Sequence, residues 1–179
     1  MENIIYRKNF LFENLNEEFE NIIEKIKGEK LNKKFEQFLI YVIGEIFDNI
    51  KEHSKAKEII TKIIKKEKKL NLYVYDNGIG FRNSYISKNI IPKDDKTAIE
   101  FALSGLSTKN LKERGYGLFS IRRLVEYLNG KMIIKSGKAS AIITRNKIQF
   151  KETLFKKGVE ILIEVPIKGI DIYKILKWK

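Results

Sequence analysis

The chain has 179 residues, a formal net charge of +13 and no cysteine. Without cysteine it has no disulfide framework, no thiolate metal site and no cysteine nucleophile. Hydrophobic residues are 43% and charged residues 33% of the chain, which is typical of a folded domain. No apolar run approaches the roughly 20 residues that span a bilayer, and the N-terminus lacks the pattern of a signal peptide. We therefore expect a cytoplasmic protein without a membrane partner.

The positive charge raises the question of a nucleic-acid partner. The lysines are scattered along the chain and mixed with glutamates, and aromatic residues do not alternate with them in a basic repeat. The joint abundance of Lys, Ile and Asn is typical of a compositional bias. We therefore do not expect nucleic acid to be the main partner.

The N-terminal part of the chain predicts a strand followed by two helices. Residues 3–12 predict the strand, and residues 14–28 predict a helix that Asn16 caps and Gly28 ends. Residues 31–53 predict a longer helix, because apolar side chains recur there at helical spacing. The recurring residues are Phe38, Val42, Ile43, Ile46 and Ile50.

The middle of the chain predicts an antiparallel hairpin and then a loop-rich segment. Residues 58–66 and 69–76 are rich in β-branched and aromatic side chains and are joined by a short charged turn. Residues 82–116 are polar and interrupted by proline and glycine, with a short helix predicted over 95–103. Long irregular segments inside a compact domain are usually functional.

The C-terminal part predicts an amphipathic helix over 117–130, followed by three or four strands. Residues 139–157 read as an insertion that widens the sheet. Neither a repeat nor a linker divides the chain, so we expect a single domain over 1–179, with residues 1–30 as its N-terminal strand and helix. The predicted fold is α+β: a two-layer sandwich with a mixed, mainly antiparallel sheet and helices on one face.

Three short motifs carry the candidate chemistry. In the first, "GEIFDNIKEHS", the side chains of Glu45, Asn49 and His53 are four residues apart and share one side of the helix. An amide oxygen such as that of Asn49 suits Mg²⁺ that also holds phosphates and water, and Glu45 is a candidate general base. The alternative is a solvated polar stripe.

The second motif, "VYDNGIG", places Asp76 at the end of an apolar strand. A carboxylate there is a good acceptor for an exocyclic amine such as that of adenine. Gly78 and Gly80 allow unusual backbone angles and close approach of a flat ring. The alternative is an ordinary turn after a strand.

The third motif, "STKNLKERGYGLFSIRRLV", opens a helix with Gly115 and Gly117 around Tyr116. Glycine amides at a helix N-terminus are suited to bind anions, and Lys109 and Arg114 add positive charge. The spacing is not that of a Rossmann fingerprint or a Walker loop, and a short glycine motif alone is a weak signal.

In this order, the three motifs resemble those of the GHKL ATPase superfamily, named for gyrase, the ninety-kilodalton heat-shock chaperones, sensor histidine kinases and MutL. "EIFDNIKEHS" is similar to its N box, "DNGIG" to its first glycine box, and "GYGLFSIRRLVEYLNGKMIIKSG" to its second. The resemblance runs from about residue 35 to the strand "VEILIEVP". It implies the Bergerat fold, a helical layer over an antiparallel-rich sheet, with Mg²⁺ and ATP in a pocket closed by a lid over residues 82–116.

The resemblance also implies roles for individual residues at the base and the metal. Asp76 would bind the adenine amino group, while Gly78 and Gly80 would shape the base pocket. Asn49 would hold Mg²⁺, and Glu45 would act as the general base or position the attacking water.

Further roles concern the phosphates. Gly115, Tyr116, Gly117 and Leu118 would offer backbone amides to them, and Lys109 would reach the terminal phosphates.

The chain departs from the family pattern at three positions. Glu52 precedes the N-box histidine where many histidine kinases have a basic residue. Val159 follows Gly158 where the family often has a threonine, whose hydroxyl helps to bind the acceptor Asp. Its loss is expected to loosen base recognition. Phe119 stands where many kinases have a third glycine.

Within the superfamily, the chain resembles stand-alone histidine-kinase-like ATPase domains and is nearest in size to the anti-sigma serine kinases. His53 is the only histidine, and it lies inside the N box, so we do not expect a self-phosphorylating sensor kinase. We expect a protein that binds Mg²⁺ and ATP and hydrolyses ATP or transfers phosphate to a regulatory partner protein. The alternatives are a non-catalytic ATP-dependent binding switch and, with less support, a DNA-associated ATPase module. The partner, the phosphoacceptor and the formation of a homodimer stay open.

Overall fold

A computed structural model describes residues 2–105 and 117–177, and in these ranges a five-stranded sheet is combined with six α-helices. A 3₁₀ turn (Phe12–Asn14) precedes the first helix, and a π-helical turn (Ile50–Ser54) extends the second. The strands are β1 (Glu2–Leu11), β2 (Glu58–Lys66), β3 (Lys69–Asp76), β4 (Lys131–Thr144) and β5 (Lys147–Pro166). The helices are α1 (Leu15–Gly28), α2 (Lys33–Asn49), α3 (Gly80–Ile86), α4 (Asp95–Ser104), α5 (Gly117–Tyr127) and α6 (Ile172–Ile175).

The sheet has the strand order β1-β2-β3-β5-β4, and every neighbouring pair is antiparallel. β3 is therefore the middle strand. Its last residue, Asp76, pairs with Ile59 on one side and Val159 on the other. The α+β fold with a mainly antiparallel sheet is confirmed, and its register places one carboxylate at the end of the central strand.

One face of the sheet is buried in a hydrophobic core with the helices. Every second residue of β3 is buried, because successive side chains of a strand point to opposite faces and only one face is covered by helices. The opposite face is half-buried and polar in part. There the Tyr73 hydroxyl donates to Glu160 Oε2 at 3.1 Å, and the Nζ atoms of Lys62 and Lys156 lie over the rings of Tyr73 and Tyr75. The two-layer arrangement follows from this difference between the faces.

Helix α1 is joined to β1 by a buried polar cluster. The carboxylate of Glu18 is 2% exposed and accepts hydrogen bonds from the Tyr6 hydroxyl and the Lys8 ammonium group. Burial alone would raise the pKa of Glu18, but these hydrogen bonds hold it below its usual range. The cluster replaces water around the buried charge.

The hairpin of β2 and β3 and the helix predicted over 95–103 are confirmed. The helix predicted over 31–53 is α-helical only to Asn49 and continues as the π-helical turn. The assignment of Asn16 as a helix cap was wrong, because the helix begins at Leu15 and Asn14 precedes it. Helix α3 was not predicted.

The three or four strands expected after α5 are two long ones. Gly137 and Gly158, which resemble strand breaks in sequence, have φ of 61° and 72° inside β4 and β5. The β4–β5 register shifts on both sides of Gly137. Such glycines produce bulges that bend a strand without ending it. Residues 139–157 therefore lengthen the β4–β5 hairpin, whereas a wider sheet was expected.

Candidate functional site

A pocket lies where the end of α2 meets the end of β3, the start of α3 and the start of α5. Its walls combine apolar and polar side chains from parts of the chain that are far apart in sequence. Among its lining residues are Glu45, Ile46, Asn49, Ile50, His53, Ser54, Val74, Asp76, Gly80, Tyr85, Gly117, Leu118, Val159 and Ile161. All three sequence motifs contribute to it.

The N-box residues line one wall together. Glu45, Asn49 and His53 lie on successive turns, and Glu45 and Asn49 are half-buried. His53 Nδ1 lies 2.9 Å from Lys88 Nζ, and its Nε2 lies 3.4 Å from Glu52 Oε2. The polar stripe predicted on this helix therefore faces a pocket.

Tyr41 lies one turn before Glu45 on α2. Burial raises the pKa of Tyr41 to about 12, the neighbouring Ser120 hydroxyl opposes the rise, and hydrogen bonding to the Glu45 carboxylate adds to it. Tyr41 therefore stays protonated at neutral pH and can donate to Glu45. Ser120 is fully buried beside Tyr41.

Asp76 is the buried carboxylate of the pocket, with 4% of its surface exposed. The Ser54 hydroxyl and the Gly78 amide both donate to Asp76 Oδ1, the amide at 2.9 Å. Burial raises the pKa of Asp76, and hydrogen bonds from Ser54, the Gly78 amide and the Val159 amide oppose the rise. These donors stabilise the charge of a largely buried carboxylate.

The glycines of the first glycine box have different positions. Gly80 lines the pocket with φ of 75°, and a β-carbon there would lie 2.8 Å from Ser136 Oγ. Gly78 lies behind the wall, where a β-carbon would be 2.0 Å from Ser54 Oγ. Ser136 ties this loop to β5, because its Oγ accepts from the Phe81 amide at 3.1 Å and donates to the Gly158 carbonyl at 3.0 Å.

The second glycine box reaches the pocket through Gly117 and Leu118, which begin α5 and are both buried. A β-carbon at Gly117 would lie 3.3 Å from the side-chain oxygen and nitrogen of Asn49. The structure thus places the N box against the start of α5. Lys109, Gly115 and Tyr116 lie outside the described residues.

Among residues 2–105 and 117–177, no group of three or more His, Cys, Asp or Glu side chains is arranged to hold a metal ion. Asn49 offers the pocket a neutral amide oxygen. This composition suits Mg²⁺, which usually keeps several waters and binds substrate phosphates with one or two protein oxygens.

Two serines of the site were not predicted from the sequence. Ser54 follows the N-box histidine and resembles an ordinary polar residue at a helix end, although π-helical turns are often found at functional sites. Ser136 lies in a strand and shows no motif. Both hold other residues of the pocket, and their partners lie 22 residues or more away in the chain.

The described part of the chain contains no helix with the length and apolar character needed to cross a membrane. Residues 35–169 match the family described as "Histidine kinase-, DNA gyrase B-, and HSP90-like ATPase". The chain is also similar to "Sensor histidine kinase YdfH" of Bacillus subtilis (strain 168), with 34% identity over 131 residues. That alignment covers 72% of this chain and 22% of the relative, so the chain spans about a fifth of the relative's length.

Proposed function

The chain belongs to the histidine kinase-, DNA gyrase B- and HSP90-like ATPase family, and on that premise we propose that it binds Mg·ATP and transfers the terminal phosphate to a regulatory partner protein. Family membership supports ATP binding and phosphoryl transfer in general. The roles of individual residues, Mg²⁺ and the type of acceptor are part of the proposal. The observation that carries it is the buried carboxylate of Asp76 in the same pocket as Glu45 and Asn49.

The pocket fits the base of ATP. Ile50, Val74 and Ile161 offer apolar walls for a flat ring. The carboxylate of Asp76 accepts a hydrogen bond from the exocyclic amine of adenine, whereas guanine presents a carbonyl oxygen in the corresponding position. A buried acceptor of this kind discriminates strongly, because the wrong partner leaves it unpaired.

The other end of the pocket fits the phosphates. Asn49 and the start of α5 meet there, and the N-terminus of a helix favours anions. When bound, ATP supplies a transferable phosphoryl group whose charge Mg²⁺ offsets. Asn49 contributes an oxygen to the metal, and Glu45 takes the proton from the attacking hydroxyl group. Tyr41 holds the carboxylate of Glu45 for this role.

We propose a serine or threonine of a separate protein as the acceptor, as in the anti-sigma serine kinases that the sequence resembles. His53 is the only histidine of this sequence, and it is engaged with Lys88 and Glu52 in the pocket wall. Its place beside Asn49 suits a structural part of the nucleotide site better than that of a phosphoacceptor.

Calorimetric titration of Mg·ATP and Mg·GTP into the wild type and into Asp76→Asn tests the binding step. We expect the wild type to prefer ATP, and Asp76→Asn to lose that preference. No binding of Mg·ATP by a well-folded wild type would refute the proposal. The matched control is Asp171→Asn, because Asp171 caps α6 away from the pocket.

The transfer step is tested with γ-labelled ATP, the purified protein and candidate partner proteins. Phosphotransfer is supported if the wild type moves the label to a serine or threonine of a partner and the Glu45→Ala variant does not. Binding of ATP without any consumption of it would favour the alternative, in which ATP only changes which partner the protein holds.

The charge of +13 favours a second candidate, a DNA-associated ATPase module. It predicts DNA binding whose affinity falls steeply with salt, because neutralising phosphates releases counterions. Absence of binding near physiological salt would exclude it.

A further inference from the structure

Ser54 makes two contacts that fix the first glycine box to the end of the N box. Its hydroxyl donates to Asp76 Oδ1, and its carbonyl accepts from the Ile79 amide at 2.8 Å. The residue is 7% exposed, and it lines the pocket beside Asp76. The contacts therefore lie at the proposed base site.

The two hydrogen bonds to Oδ1 restrict the carboxylate of Asp76. The Ser54 hydroxyl and the Gly78 amide approach the same oxygen. Rotation of the carboxylate would break both bonds at once. Hydrogen bonds to a charged group are stronger than those between neutral groups, so the hydroxyl contributes to orientation and to ionisation.

Val159 follows Gly158, at the position where the family that the sequence resembles often has a threonine hydroxyl. It pairs directly with Asp76 across the sheet and lines the pocket. Directly paired residues of antiparallel strands point to the same face, so a hydroxyl at this position would be near the carboxylate. Valine supplies none, and the structure presents the hydroxyl of Ser54 from the opposite wall instead.

We propose that Ser54 determines base specificity in this protein, by holding the carboxylate of Asp76 ionised and oriented for the exocyclic amine of adenine. This inference rests on the proposed function and adds a residue to it. A carboxylate only accepts hydrogen bonds, whereas a protonated carboxyl group can also donate one to the carbonyl oxygen of guanine. Loss of the Ser54 hydroxyl therefore lowers the preference for ATP over GTP.

The test compares wild type, Ser54→Ala and Ser54→Ala/Val159→Thr by calorimetry with Mg·ATP and Mg·GTP. We expect Ser54→Ala to bind Mg·ATP about tenfold more weakly, with a smaller change for Mg·GTP. The added threonine should restore part of the lost selectivity, because it returns a hydroxyl to Asp76 from β5. Ser140→Ala is the matched control, since Ser140 is buried on β4 and does not line the pocket.

A second measurement does not depend on nucleotide. Carboxyl-selective NMR follows the titration of Asp76 in the ligand-free wild type and in Ser54→Ala. We expect Asp76 to titrate at higher pH in the variant. The other ionisable side chains that line the pocket are the same in both proteins, so the difference reports on Ser54; they are Glu45, Asp48, Glu52, His53 and Tyr85.

The outcomes separate the two proposals. Absence of Mg·ATP binding by the wild type refutes the proposed function, and the NMR titration then still tests the contact between Ser54 and Asp76. Wild-type binding with an unchanged ATP-to-GTP ratio in Ser54→Ala overturns the inference alone. So does an unchanged titration of Asp76 in that variant.

Discussion

Gly117, the first residue of α5, lies directly against the side chain of Asn49, so that a β-carbon at Gly117 would be 3.3 Å from both Oδ1 and Nδ2. The φ angle of Gly117 is 27°, in a region that other residues rarely adopt. The proposed metal ligand and the proposed phosphate-binding amides thus share one contact. We therefore expect a substitution of Gly117 to displace the side chain of Asn49.

Gly117→Ala should weaken Mg·ATP binding about tenfold, because the backbone strain and the displaced Asn49 together cost on the order of 1–3 kcal/mol. Calorimetry measures the loss. Gly28→Ala is the control: Gly28 ends α1, and a β-carbon there meets nothing within 4 Å. Equal affinities of Gly117→Ala and the wild type would argue against this contact in the nucleotide site.

Glu45→Gln should abolish most ATP consumption and keep Mg·ATP binding, because the amide cannot take a proton while its shape is preserved. General-base catalysis contributes about 10²–10⁴-fold in rate. Coupled-enzyme turnover and calorimetry measure the two quantities separately. Glu36→Gln, in the first turn of the same helix and outside the pocket, is the control. A variant that turns over ATP at the wild-type rate would remove Glu45 from the mechanism.

Tyr41→Phe should reduce turnover less than Glu45→Gln does and leave ATP affinity unchanged. The hydroxyl only holds the carboxylate, and the loss of one hydrogen bond to a charged group costs about 1.5–3 kcal/mol. Because burial raises the pKa of Tyr41 to about 12, the effect should be constant between pH 6 and about pH 9. An effect that changes within this range would show that another group is involved.

Asp76→Asn should lose the preference for ATP over GTP, and its stability relative to the wild type should depend on pH in a defined direction. The pKa of Asp76 in the folded protein lies above its ordinary value of 3.8. Folding therefore favours the protonated form, and the wild type has its largest advantage at low pH. That advantage falls as pH rises from the ordinary value through the raised one and is constant above it. Urea unfolding of both proteins across this range measures the difference, and the opposite trend would contradict the prediction.

Glu18→Gln should destabilise the protein by about 1–3 kcal/mol at neutral pH, since the Lys8 and Tyr6 donors lose their charged acceptor. The pKa of Glu18 is lowered in the folded state, so its contribution is present above the ordinary value of 4.5 and is lost as pH falls through the lowered one. Glu17→Gln, exposed on the same helix, is the control for urea unfolding. ATP affinity should not change in either variant.

Local patterns predicted most of the fold, because the strands and helices have clear periods. The failures occur where tertiary contacts overrule local preference. Gly137 is an example, since its positive φ bends β4 against Asp95 and does not end the strand. Asn16 is another, because a good capping residue two positions into a helix cannot be told from the cap by sequence alone.

The candidate site was predicted only in part, again because tertiary contacts determine some of its residues. Asp76 and Asn49 lie in short motifs with an identifiable chemistry, and both line the pocket. Ser54 acts through a contact between the end of a helix and the end of a strand, and only the folded arrangement reveals it. The departure at Val159 was visible in the sequence, but the hydroxyl that faces Asp76 from the other wall was not.

Gly158 illustrates how steric necessity can be mistaken for ligand recognition. Its φ is 72°, and a β-carbon there would lie 1.9 Å from the carbonyl oxygen of Asp76, so the pairing of β3 and β5 requires glycine with or without nucleotide. Asp76, by contrast, lowers the stability of the folded protein at neutral pH, because its charge is buried. A related protein that no longer bound nucleotide could therefore replace Asp76 by another residue, but it would still require Gly158.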